Sequence, residues 1–173
     1  MKSFIITSAV VLCVTAAPLA FAEEAAKPPK WMSTPAKELV DRARASTKQV
    51  SINDLKDAIE RKEDMVILDV RNLDEYDVAH IPNAVNVPRG LLEFNIWTAV
   101  PDTDKKLYVY CKTGARAALA TKQLNELGYK NAVAINVGAA AWAEAGNPVQ
   151  TSVAAVKGEE KTGAVAAKRL AGQ

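Results

Sequence analysis

Cys111-Lys112-Thr113-Gly114-Ala115-Arg116 directly follows the apolar run Leu107-Tyr108-Val109-Tyr110. A cysteine is an intrinsically strong nucleophile once it is a thiolate. Between the end of a strand and the start of a helix, its sulfur sits over backbone N–H groups and a helix N-terminus, which favour the thiolate over the thiol. Lys112 and Arg116 place two cations within reach of that sulfur. A nucleophile, a nest of donors and two positive charges make a loop suited to attacking or holding an anion, with Thr113, Gly114 and Ala115 supplying its backbone.

The rest of the chain limits that chemistry. It has 173 residues, two cysteines and one histidine. Cys13 lies in the charge-free stretch from Phe4 to Ala17, after Lys2 and before Ala20-Phe21-Ala22, whose small residues suit a signal peptidase. That stretch is too short to be kept as a membrane span, which needs ~20 residues. Residues 1–22 are therefore expected to be an export leader cut before Glu23, leaving a periplasmic protein without a membrane anchor and with Cys111 as its one thiol. An unpaired thiol in an oxidising compartment is either buried or used; Lys112, Gly114 and Arg116 argue against burial. The formal charge is +2 and no basic tract is present, so nucleic acid is not expected as a partner. One histidine and one remaining cysteine cannot make a zinc site, so metal is not expected, and a cysteine nucleophile needs no organic cofactor.

Positioning the loop is the task of the elements around it. Residues 23–34, with Pro28 and Pro29, read as a linker, and residues 35–150 as one domain. Thr34-Pro35 starts a helix whose apolar face is Ala36, Leu39, Val40 and Ala43. Gln49 to Ile52 reads as a short strand. Ser51 with Asp54 makes a capping box for a second helix carrying Leu55, Ala58 and Ile59. Strands are expected over Met65–Val70, Ala84–Val87, Leu107–Tyr110 and Ala132–Val137. Helices are expected over Leu73–Ala79, Leu91–Thr98, Ala115–Leu127 and around Trp142, with a turn at Gly146-Asn147-Pro148. Residues 151–173 read as a flexible tail. Short apolar strands alternating with amphipathic helices indicate an α/β domain with a mainly parallel sheet flanked by helices. Ligands of such sheets sit beyond the carboxyl ends of the strands, where both Cys111 and Asp69-Val70-Arg71 fall.

These residues resemble the rhodanese family of sulfurtransferases. The resemblance covers Leu68-Asp69-Val70-Arg71, Glu75-Tyr76, His80-Ile81-Pro82-Asn83-Ala84, Asn86-Val87-Pro88, the Cys111 loop, Gly138 with Trp142, and Gly146-Asn147-Pro148-Val149. The loop, the helix after it, and Arg89-Gly90 with Leu92-Glu93 are similar to members that transfer sulfur from polysulfide in the periplasm. Ala139 stands where the family usually has the second of two glycines. The resemblance implies a rhodanese-like domain in which Cys111 is the catalytic residue. It implies that Lys112, Arg116, Arg71 and Arg89 surround a small anionic sulfur donor such as thiosulfate or polysulfide. A cysteine persulfide would form and pass its outer sulfur to cyanide or a thiol. A homodimer is implied on the same basis. Asp69 and Glu75 are read as structural hydrogen-bonding groups, His80 as a satisfied turn residue and Trp142 as a packing anchor.

Three rivals share parts of this pattern. Phosphatases and arsenate reductases of related design place five residues between cysteine and arginine, whereas Cys111 and Arg116 are separated by four, which suits sulfur transfer better. Thiol–disulfide exchange normally needs a second nearby cysteine. A persulfide carrier that docks on a partner would need the same loop, and residue types alone do not separate it from a freely turning-over enzyme.

Overall fold

The computed structural model describes residues 34–152. The leader, nearly all of the linker and the tail beyond Ser152 lie outside the described residues. Five parallel strands form one sheet in the order β1-β5-β4-β2-β3. They are β1 (Gln49–Val50), β2 (Met65–Asp69), β3 (Val85–Asn86), β4 (Lys106–Tyr110) and β5 (Ala132–Ile135). Six helices flank them: α1 (Thr34–Ser46), α2 (Ile52–Glu60), α3 (Leu73–Val78), α4 (Leu92–Ala99), α5 (Ala115–Glu126) and α6 (Ala139–Glu144), with a 3-10 turn over Arg89–Leu91 before α4. This is the single α/β domain expected from the alternation of strands and helices.

Side-chain alternation along the strands builds two cores. Tyr108 and Tyr110 of β4 join Ile67, Val133 and Ile135 on one face, packed against Leu55 and Ala58 of α2 and Trp142 of α6. Leu107, Val109 and Cys111 point to the opposite face, where Leu92 and Ile96 of α4 and Ala117, Ala120 and Leu124 of α5 cover them. A period of two on a pleated strand makes this division inevitable once both faces are covered. Helix α1 packs on α5.

The chain leaves β2 outward to the edge strand β3, then crosses back to place β4 on the other side of β2. The carboxyl ends of β2 and β4 therefore lie side by side at a switch of direction, and Asp69 is in register with Tyr110. Connections leave in opposite directions there, which opens a crevice above the sheet. The Cys111 loop rises from one wall and Arg71 from the other.

Some boundaries differ from the sequence reading. The buried stripe of α1 is Val40 and Ala43, while Ala36 and Leu39 are exposed. Ile59 also stands partly exposed at the far side of α2. Strand β5 stops at Ile135 rather than Val137, since Asn136 and Val137 begin the turn that backs the cysteine loop. Thr151 and Ser152, read as the start of the tail, both hydrogen-bond the Asp77 carbonyl, at 2.9 and 3.0 Å.

The Ser51–Asp54 capping box is present. The Asp54 N–H donates to Ser51 Oγ at 3.2 Å, and Asp54 Oδ2 accepts from the Ser51 N–H at 2.7 Å. Ser51→Ala should lower unfolding stability by about 1 kcal/mol in urea titration. A change indistinguishable from zero would show that α2 is held by packing alone.

Candidate active site around Cys111

Two glycines decide the shape of the loop. Gly114 has a φ of +85°, and a Cβ added there would lie 2.4 Å from the Asn136 carbonyl oxygen. Gly138 has no φ strain, but a Cβ on it would lie 1.9 Å from the Lys112 carbonyl oxygen and 2.5 Å from that of Cys111. The turn after β5 thus presses backbone to backbone against the cysteine loop. The Ala139 N–H donates to the Cys111 carbonyl at 2.8 Å and holds it there. Ala139, in place of the family's second glycine, fits as the buried first residue of α6.

Held this way, the loop leaves its N–H groups unpaired. Among the described residues, nothing accepts a hydrogen bond from the backbone N–H of Lys112, Thr113, Gly114 or Ala115. Gly114 is the N-cap of α5, so the free donors at the start of that helix add to the same field. Cys111 is only 1% exposed, which corrects the expectation that its charged neighbours would keep it open. Its side chain follows the strand alternation down into the α5-side core, while its loop rises over it. Lys112 is partly exposed and Thr113 exposed at the rim.

The cations divide into two groups. Arg116 makes a fork with Glu75, Nη1 to Oε2 at 2.7 Å and Nη2 to Oε1 at 2.8 Å. Glu75 also accepts from the Asn72 N–H at 3.2 Å, so one carboxylate ties the start of α3 to the first turn of α5. Burial acts to raise the Glu75 carboxyl, but hydrogen bonds from Arg116 and Asn72 outweigh it and hold it below the ordinary carboxylate range. The same hydrogen bond raises Arg116, against burial, and the charge of Cys111 contributes in the same direction.

Arg71 is buried, and its guanidinium is committed to Asp69, with Nη2 at 2.6 Å from Oδ2, and to the Ala79 carbonyl at 2.8 Å. Arg71, read as a donor-binding cation, has its charge matched by Asp69 at the end of β2. Arg89 is at the same end of the sheet, its N–H bonded to the Val70 carbonyl at 3.1 Å, and its side chain pairs with Glu93 at 2.9 Å while staying part-exposed. Lys112 makes no ion pair among the described residues.

The structural readings of the neighbouring residues fit their surroundings. His80 is buried and stacked on Tyr76 with ring centroids 3.8 Å apart, its Nδ1 bonded to the Tyr76 carbonyl at 2.8 Å. Trp142 donates Nε1–H to the Pro148 carbonyl at 2.7 Å. Tyr110 was read only as part of a strand. Its hydroxyl accepts from the Ile81 N–H at 3.2 Å, and burial, with the nearby Asp69 charge, raises its pKa well above the ordinary value. A second tyrosine in the same short strand, after Tyr108, was the available sign of this cross-link, since a buried tyrosine hydroxyl usually finds a partner.

Residues 51–145 match the rhodanese-like domain family. The chain belongs to that family. The segment is 30% identical over 98 residues to YrkF of Bacillus subtilis, a protein bearing a sulfur-carrier name, covering 57% of this chain and 52% of that one. It is 37% identical over 62 residues to the thiosulfate sulfurtransferase PspE of Escherichia coli, covering 36% and 60%. In each case the match spans less than two-thirds of the relative's own length. Among solved structures, the polysulfide-sulfur transferase homodimer of Wolinella succinogenes is 31% identical with a TM-score of 0.58, covering 71% of this chain and 92% of that one.

Two outcomes test the geometry of this rhodanese-like site. Gly138→Ala should leave a folded protein whose Cys111 reacts with an alkylating reagent at a rate changed by about tenfold or more, because the loop must shift to clear the Lys112 carbonyl. Unchanged alkylation would mean the loop does not depend on that contact. For Glu75, the sign follows from its lowered folded pKa: its contribution is complete above the ordinary carboxylate range and is lost as pH falls through the lower folded value. Wild-type stability should therefore drop more steeply than that of Glu75→Gln between roughly pH 5 and pH 3, followed by urea unfolding at each pH.

Proposed function

We propose that this protein transfers sulfane sulfur from a small anionic donor, thiosulfate or polysulfide, through a persulfide on Cys111 to cyanide or a thiol. One observation carries the reading: a nucleophilic sulfur at the base of a loop whose N–H groups have no protein acceptor, at the switch point of a rhodanese-like sheet. Attack by the Cys111 thiolate on the electrophilic sulfur forms an S–S bond and releases the donor remainder, sulfite from thiosulfate. The acceptor then takes the outer sulfur and returns the thiolate, in a ping-pong sequence. The unpaired N–H groups of the loop stabilise the anionic persulfide between the two steps.

Charge pairing inside the site sharpens the donor argument. Asp69 neutralises Arg71, Glu75 neutralises Arg116, and Glu93 engages Arg89. That leaves Lys112, next to the sulfur, as the cation with no internal partner to draw it away from a donor. Family relatives bearing sulfurtransferase and sulfur-carrier names support this class of chemistry, and the export leader read in residues 1–22 supports a periplasmic setting. A persulfide carrier that hands sulfur to a protein is the second reading, favoured by the near-complete burial of Cys111.

Cys111→Ser should lose nearly all turnover with thiosulfate and cyanide, and mass spectrometry should show that donor no longer adds one sulfur atom. Full activity in that variant would remove the mechanism. Lys112→Ala should lower kcat/KM for either anionic donor by about tenfold, the worth of one hydrogen bond to a charged group. Arg89→Ala should lose less because its charge is shared with Glu93, and added salt should reduce both rates by screening. Equal losses at Lys112 and Arg89 would refute the charge assignment.

A further inference from the structure

Exposed large apolar side chains cluster on the edge of the sheet that carries Cys111. Leu73 is 59% exposed in the segment after β2, Leu91 is 50% exposed after β3, and Val137 is 38% exposed after β5. The loop after β4 is the cysteine loop itself. Strands β3, β2, β4 and β5 are consecutive neighbours in the sheet, so the segments that carry these residues follow neighbouring strands on either side of Cys111. Phe94, 77% exposed one turn further along α4, extends the row outward. A small anion gains nothing from leucine and valine. Exposed apolar surface beside a reactive group suits an apolar partner.

We propose that this edge docks the cysteine-bearing segment of an acceptor protein, with apolar residues flanking the cysteine and a carboxylate next to it. The proposal rests on the sulfur-transfer reading of Cys111. With Cys111 1% exposed, a thiol meets its persulfide only from a protruding or terminal segment, not from a flat protein face. Charge selects the rest. Glu75 and Glu93 are held by Arg116 and Arg89, so Lys112 is the cation left to meet the segment's carboxylate. Asp74, next to Leu73 in the chain, is exposed and without a cation partner among the described residues, so it opposes a carboxylate at that end and leaves Lys112 as the place for it. In the transfer, the acceptor thiolate attacks the outer sulfur of the persulfide. A new S–S bond forms on the acceptor, the bond to Cys111 Sγ breaks, and its electron pair leaves Cys111 as a thiolate. No outside oxidant or reductant is consumed.

The test begins with thiosulfate loading, read by intact mass. Failure to gain one sulfur atom would overturn the sulfur-transfer reading and this proposal with it. The loaded protein is then mixed with two short cysteine peptides, one flanked by leucine, phenylalanine and glutamate, the other by serine and glutamine. Transfer to the first should be about tenfold faster, the effect of burying one leucine-sized side chain. In a Leu73→Ser, Leu91→Ser, Val137→Ser variant that advantage should vanish while the rate with cyanide is unchanged. Equal rates for the two peptides on wild-type protein overturn the proposal whether or not the variant folds, as does an advantage that survives the three substitutions. Concentration-dependent dimerisation abolished by the same substitutions would assign the edge to a second copy of the chain and overturn it equally.

Discussion

The site depends on a backbone contact rather than on a side chain. Gly138 presses against the carbonyls of Cys111 and Lys112, and the Ala139 N–H accepts no other role than bonding Cys111. Because the Cys111 carbonyl is held by the Ala139 N–H, the N–H of the same peptide unit, that of Lys112, points the opposite way. A peptide unit has one donor and one acceptor pointing in opposite directions, so fixing one fixes the other. The rhodanese-like cradle is a consequence of two loops packed too closely for any Cβ between them.

Around that cradle, charge is handled by internal pairing. The Asp69–Arg71 pair is buried, and truncating one member would strand the other in a medium that cannot solvate it. Its value is geometric: Asp69 ends β2 and accepts from the Arg71 N–H at 2.9 Å, while Arg71 reaches the Ala79 carbonyl beyond α3. Glu75 and Arg116 do the same between α3 and α5, nearer solvent. Both pairs brace the walls around the cysteine loop, and Arg116 interacts with the charge of Cys111 while paired to Glu75.

Burial of Cys111 has consequences for chemistry as well as packing. An inert buried thiol and a reactive one differ in what lies above them. Here Cys111 packs among aliphatic residues of the α5-side core, and the amides of the loop that follows it have no protein acceptor among the described residues. Electrostatic interactions in such a dry, donor-rich site are stronger than the same groups would provide in water.

Much of this was legible in the residues themselves. The strand-length apolar runs, the Ser51–Asp54 box, the buried face of α5 and the loop beginning at Cys111 all express local rules: side-chain period, cap chemistry and glycine where the backbone turns left-handed. The parallel α/β class follows from their alternation, and the family resemblance follows from motifs in order. What residue types could not decide was direction. Arg71 and Lys112 are equally cationic on paper, yet one is turned into the wall by Asp69 and the other is left at the rim. Cys111 looked open because its neighbours are polar, but strand alternation carries its own side chain inward. The demand for Gly138 comes from a loop 26 residues away in sequence. Such facts depend on which surfaces meet across the sheet, and only the packed chain brings those surfaces together.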